Sequence, residues 1–143
     1  MMHQVYIALG SNLGDRKHNI NEAIRLIGER VGTLASQSSL LESEPWGFKS
    51  EHAFLNAAIH VETTLSPHEV LAATQQIERE LGKTAVHATR RSLLPEYKDR
   101  PIDIDILLYD DLHLHEPELT LPHPLMHERP FVMQPLREIL STP

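Results

Sequence analysis

The chain has 143 residues, no cysteine and a net charge of -7. That length can bury one core without staples. The lack of thiols excludes a disulfide framework and any thiolate zinc site, and the acidic balance argues against a general nucleic-acid surface, which needs clustered Lys and Arg. Met1-Met2-His3-Gln4 lacks the basic start and apolar run of a leader, and no stretch approaches the roughly 20 apolar residues of a membrane span. Residues 1–143 are therefore expected to form a single domain, cytoplasmic and monomeric, with no membrane or nucleic-acid partner.

In chain order, Val5-Tyr6-Ile7-Ala8-Leu9 is an apolar run stopped by Gly10-Ser11-Asn12, which predicts a strand and a turn. A helix follows, capped by Asn12 or Asp15, with Ile20, Ala23, Ile24 and Ile27 at helical spacing and Gly28 and Gly32 ending the pattern. Thr33 to Ser43 is consistent with one antiparallel strand, broken by Pro45-Trp46-Gly47, and Phe54 to Thr63 predicts another. Ser66-Pro67-His68-Glu69 is a capping-box start for a second helix that turns Val70, Leu71, Thr74, Ile77 and Leu81 inward and stops at Gly82. The stretch from Lys83 to Arg100 carries five basic and two acidic residues, so an anion could be received there.

Pro101 to Tyr109 then reads as an apolar strand interrupted only by Asp103 and Asp105. His113 to Leu121 predicts a small hairpin, and Phe131 to Leu140 has a helical pattern. The order strand, helix, strand, strand, helix, strand is that of an α+β ferredoxin-like sandwich. Its antiparallel sheet carries helices on one face, with extra C-terminal elements.

Side chains alternate along a strand, so Asp103 and Asp105 share a face about 6.6 Å apart at the backbone. Asp is disfavoured in strands, and like charges on one face repel unless a cation or salt bridge compensates them. Oxygen-only ligands at this spacing suit a hard cation such as magnesium, shared with substrate phosphates. An amphipathic strand with a wet face would also present such a pair, and Asp-x-Asp alone does not name a reaction.

The segment Asp99-Arg100-Pro101-Ile102-Asp103-Ile104-Asp105-Ile106-Leu107 closely resembles the signature of 6-hydroxymethyl-7,8-dihydropterin pyrophosphokinases of folate biosynthesis. Four further blocks are similar to that family in the same order. They are Gly10-Ser11-Asn12-Leu13, Pro45-Trp46-Gly47, Phe54-Leu55-Asn56-Ala57, and Leu121-Pro122-His123 with Arg129-Pro130-Phe131. The resemblance implies attack of a pterin hydroxymethyl oxygen on the β-phosphorus of ATP, with AMP leaving. It implies that Asp103 and Asp105 hold Mg2+, two ions with ATP bound, and that Arg100 and Lys83 join them in catalysis. It implies a pterin site of Ser43, Trp46, Phe54, Asn56 and Phe131. Contacts to ATP are implied for Leu71, Gln75, Glu78, Lys83, Arg100, Ile106, Thr120, His123 and Arg129, and Arg90, Arg91 and Lys98 could join from a closing loop. Lys83 stands where the family usually has arginine, which puts a point charge in place of a bidentate fork.

Three other readings of the residues stay open at this stage. Ten histidines, among them His113, His115, His123 and His127, allow a zinc site. A ferredoxin-like nucleotide-sensing module would have the fold without turnover. Nucleotidyl transfer would use the same aspartates but release pyrophosphate.

Overall fold

The computed structural model describes residues 1–44, 53–82 and 101–140. The first strand, β1 (His3–Ser11), leads through a turn at Gly14 (φ 74°) into α1 (Arg16–Arg30). Asp15, not Asn12, is the N-cap, and its side chain accepts from the His18 backbone N–H. Gly28 does not end the helix. It lies on the exposed side, and α1 runs on to Arg30, after which the Val31 and Gly32 amides both donate to the Ile27 carbonyl.

The predicted strand from Thr33 to Ser43 is two strands, β2 (Thr33–Gln37) and β3 (Leu41–Ser43), set one after the other along the same edge of β4 (Phe54–Thr63). Gln37 pairs with Ile59 but Leu41 with Asn56, so β2–β3 spends one more residue than β4 does. Ser38 fills the gap. Its amide donates to the Ala58 carbonyl and its Oγ accepts from the Ala58 amide, each at 2.9 Å, replacing a ladder partner with a side chain.

Helix α2 (Pro67–Gly82) opens on the expected capping box. Ser66 N–H donates to Glu69 Oε1 at 2.8 Å, and Glu69 N–H to Ser66 Oγ at 3.2 Å. Strand β5 (Asp103–Tyr109) follows, then the hairpin β6 (Leu114–His115) and β7 (Thr120–Leu121), a 3-10 turn (Met126–Glu128) and α3 (Pro130–Leu140).

The main sheet runs β2-β4-β1-β5, antiparallel throughout, which is the ferredoxin-like order. On one face Val5, Ile7, Leu9, Ala57, Ile59, Val61, Ile104 and Ile106 meet Ile20, Ile24 and Ile27 of α1 and Val70 and Ile77 of α2. On the other face Ala8, Ala58 and Leu107 meet Met126 and the α3 residues Val132, Leu136 and Ile139. The C-terminal helix thus covers the face that α1 and α2 leave. It reaches only part of that face, and the remainder carries the site. Among the described residues no helix is long and apolar enough to cross a membrane.

Candidate active site

The strand register settles which side chains share the face of α3. Asp103 pairs with Gly10 and Asp105 with Ala8 on β1, while Gly10 and Ala8 pair in turn with Asn56 and Ala58 on β4. Both carboxylates therefore project from the surface that carries Asn56, and their cross-strand neighbours are a glycine and an alanine, too small to crowd the space above them. Asp103 and Asp105 are half-buried, and the apolar residues between and beside them, Ile102, Ile104 and Ile106, point into the α1–α2 layer. The donor set is hard oxygen on one wall of a partly covered surface, which suits a divalent cation such as Mg2+. Glu78 of α2 accepts the Ile104 backbone N–H at 2.7 Å, fixing the outer edge of β5 between the two aspartates.

Asn56 is buried, and its partners decide its orientation. Its amide nitrogen donates to the Leu41 carbonyl at 2.9 Å and to Ser43 Oγ at 2.8 Å. A backbone carbonyl can only accept, so the atom facing Leu41 must be nitrogen and not oxygen. Both amide protons are then used within the protein. What Asn56 can offer a ligand is the acceptor Oδ1, and Ser43, accepting at Oγ, keeps its hydroxyl proton to donate. Gly10 lies directly beneath. A Cβ there would stand 3.3 Å from Asn56 Oδ1 and 3.4 Å from a Phe54 ring carbon. Gly10 belongs to β1 and not to the turn alone, and a glycine inside a strand is the sequence signal for such a close approach. Phe54 shares the Asn56 face by alternation along β4, and Phe131, half-buried, packs against the cluster of Ala8, Ala58 and Leu107. The structure thus brings Ser43, Phe54, Asn56 and Phe131 to one side of the sheet.

A β-bulge sets the opposite end of the site. The β1–β5 register shifts so that Ile7 pairs with Ile106 and Tyr6 with Leu108, leaving Leu107 as the extra residue. The Leu107 carbonyl accepts the His123 backbone N–H at 3.0 Å, just after the cis Leu121-Pro122 bond, and His123 Nε2 comes to 3.9 Å from Asp105 Oδ1. The Leu125 amide donates to His123 Nδ1 at 3.3 Å, so in the neutral ring the proton sits on Nε2, the nitrogen turned toward Asp105. Burial, helped by the Arg129 cation, holds the His123 pKa below its ordinary value, while the Asp103 carboxylate pulls it the other way. The lowering favours the neutral ring, in which Nε2–H is the donor on the side of Asp105. Arg129 stands at the start of α3, its carbonyl accepting from Val132 and Met133.

The remaining sequence candidates divide. Ile106 is buried in the α1–α2 layer, Leu71 packs against that layer, Gln75 is exposed on α2, and Thr120 lies half-buried in β7, two residues before Pro122. Trp46, Lys83, Arg90, Arg91, Lys98 and Arg100 lie outside the described residues. For the zinc reading, the group of three possible ligands within 4.8 Å of one another among the described residues is His68, Glu116 and Glu118, which includes none of His113, His115, His123 and His127.

Residues 6–141 match the family of 7,8-dihydro-6-hydroxymethylpterin-pyrophosphokinase (HPPK). The chain belongs to that family. It is 48% identical over 136 residues to the 2-amino-4-hydroxy-6-hydroxymethyldihydropteridine pyrophosphokinase of Porphyromonas gingivalis, a match covering 94% of this chain and 89% of the relative. It is 41% identical to the protein of the same name in Bacillus subtilis, covering 97% and 79%. In structure it is similar to an HPPK-DHPS protein crystallised in complex with substrates, with a TM-score of 0.71 at 15% identity. That match covers 98% of this chain and 40% of the solved one, so it bears on the fold of the HPPK portion alone. As an HPPK the chain is an enzyme of a kinase family.

Proposed function

We propose that this chain transfers the pyrophosphoryl group of ATP to 6-hydroxymethyl-7,8-dihydropterin, releasing AMP, as a step of folate synthesis. The observation that carries the reading is the arrangement of one sheet face: within a chain that matches HPPK from residue 6 to residue 141, the carboxylates of Asp103 and Asp105 share a face with the acceptor–donor pair of Asn56 and Ser43, with the small residues of β1 between them.

A pterin is flat and has a polar edge, so it needs a stacking surface and edge partners. Phe54, resting on Gly10, and Phe131 supply the aromatic faces; Asn56 Oδ1 accepts from the ring edge and the Ser43 hydroxyl donates to it. At the other end, Asp103 and Asp105 would hold Mg2+, two ions with the nucleotide. Bound there, the metal would neutralise phosphate charge and orient the transferred group. His123 donates Nε2–H toward the phosphate oxygens. Arg129 adds a fixed cation, and Lys83 and Arg100 complete the charge balance as the leaving oxygen of AMP turns negative. Leu71, Ile106 and Thr120 take the adenosine portion, with Gln75 and Glu78 along α2. Residues 1–143 work as one domain, as a monomer in the cytoplasm.

Incubation with ATP, the pterin and Mg2+ tests the reading, with AMP as the product to be measured. Formation of AMP that needs both the pterin and the metal is expected, whereas release of pyrophosphate would identify nucleotidyl transfer instead. Asp103→Ala and Asp105→Ala should each lower kcat by about 10²–10³, the cost of removing one pre-organised electrostatic partner. Wild-type turnover in either variant would exclude the two-aspartate mechanism.

A further inference from the structure

We infer that Arg16 is a positioning residue for the pterin end of the site. The inference deepens the pyrophosphokinase reading and rests on it. Arg16 is the first residue of α1, and one of its terminal nitrogens, Nη1, reaches two partners far away in sequence. It donates to the Ala53 carbonyl at 2.9 Å and pairs with Glu42 Oε2 at 2.8 Å.

Those partners are the residues immediately before Phe54 and Ser43. The β3–β4 ladder is short and ends on the pair Ser43 with Phe54, so Ala53 lies just past its last rung. Arg16 takes over where the ladder stops and ties the end of β3 to the beginning of β4.

The face on which it does so matters. Glu42 pairs with Leu55, which packs into the α1–α2 layer, whereas Ser43 and Phe54 project to the opposite side with Asn56. The guanidinium therefore grips the two strands from behind and does not reach a ligand lying on Gly10 and Phe54. It acts through the strand ends alone, setting the distance between the Ser43 hydroxyl and the Phe54 ring. Its anchor is firm, since Asp15 caps α1 and Asn19, one turn on, donates to the Leu13 carbonyl at 3.0 Å. Losing this clamp widens the pterin edge site and leaves the aspartates, which stand on β5 two strands away, as they were.

Steady-state kinetics of the full chain with both substrates varied separates this role from a general structural one. Arg16→Gln is expected to raise KM for the pterin about tenfold, with kcat and KM for ATP within about twofold, because the lost interaction is a charge-assisted hydrogen bond felt at one substrate only. Arg16→Lys, whose single ammonium keeps the charge and has donors for both acceptors but sits on a shorter side chain, should recover part of that loss. A pterin KM unchanged within twofold in Arg16→Gln overturns the inference, and so does an equal rise in both KM values. Should Arg16→Gln not fold, Arg16→Lys decides by the same criteria. Failure of the wild-type chain to form AMP from these substrates would instead remove the pyrophosphokinase reading itself.

Discussion

Asn56 shows how much one polar residue in an apolar strand can disclose. An amide there must find partners, and the sequence alone left open whether they belong to the protein or to a ligand. The structure divides the amide: its nitrogen serves Leu41 and Ser43, and its oxygen faces the site. Asn56→Asp, nearly identical in shape, would set a carboxylate oxygen against the Leu41 carbonyl. It should lower stability by about 1–3 kcal/mol, the cost of leaving a buried acceptor unsatisfied. Urea denaturation measures this, and an unchanged midpoint would show that the carbonyl finds another donor. Gly10 is the complementary case, a residue whose role lies in what it lacks. In Gly10→Ala the new methyl would press on the Phe54 ring and Asn56 Oδ1, and calorimetry should show pterin affinity lowered while the carboxylates of β5 keep their metal response.

At the scale of elements, local chemistry was legible wherever it is short in range. The capping box of α2, the long strand from Phe54 to Thr63 and the small hairpin could all be read from their own residues. The division of β2 from β3 could not, because its cause is a contact between Ser38 and Ala58, twenty residues apart. Of the two glycines read as ending α1, Gly32 does so, its amide closing with that of Val31 on the Ile27 carbonyl, whereas Gly28 on the solvent side leaves the helix unbroken.

The hairpin shows the same dependence on distant partners. Its turn, Glu116-Pro117-Glu118, meets the first turn of α2, where His68 Nε2 lies 2.6 Å from Glu116 Oε1. That hydrogen bond, with the charge of Glu116, raises the His68 pKa above 6.5. The contact's contribution to stability is therefore fully present below pH 6.5 and is lost as pH rises through the elevated folded value. An NMR titration of His68 should give a midpoint above 6.5 that returns to the ordinary range in Glu116→Gln, and equal midpoints in the two proteins would show the pair to be broken in solution.

Across the whole molecule, two apolar layers flank one sheet, and the sequence spoke clearly of only one. Residues 20–27 and 70–77 carry a strong helical period, so the α1–α2 layer could be foreseen together with the ferredoxin-like strand order. The pattern from Phe131 to Leu140 is interrupted by Pro135 and showed a helix without showing its place. The unbroken apolar run Ala57-Ala58-Ile59 was the available signal that β4 is covered on both sides. Leu136, fully buried on the inner face of α3, should report on that second layer. Leu136→Ala is expected to cost about 2–5 kcal/mol in thermal or urea unfolding, and a cost under 1 kcal/mol would mean that α3 is dispensable to the core.

The outer margin of β5 has a bearing on how copies of the chain meet one another. A sheet's last strand is a template on which a foreign strand can add, and β5, the last strand of the sheet among the described residues, is long and mostly apolar. Two of its backbone groups are already engaged, Ile104 N–H by Glu78 and the Leu107 carbonyl by the His123 amide. The contacts that steady the aspartates and seat the histidine thereby also guard this margin against edge-to-edge aggregation.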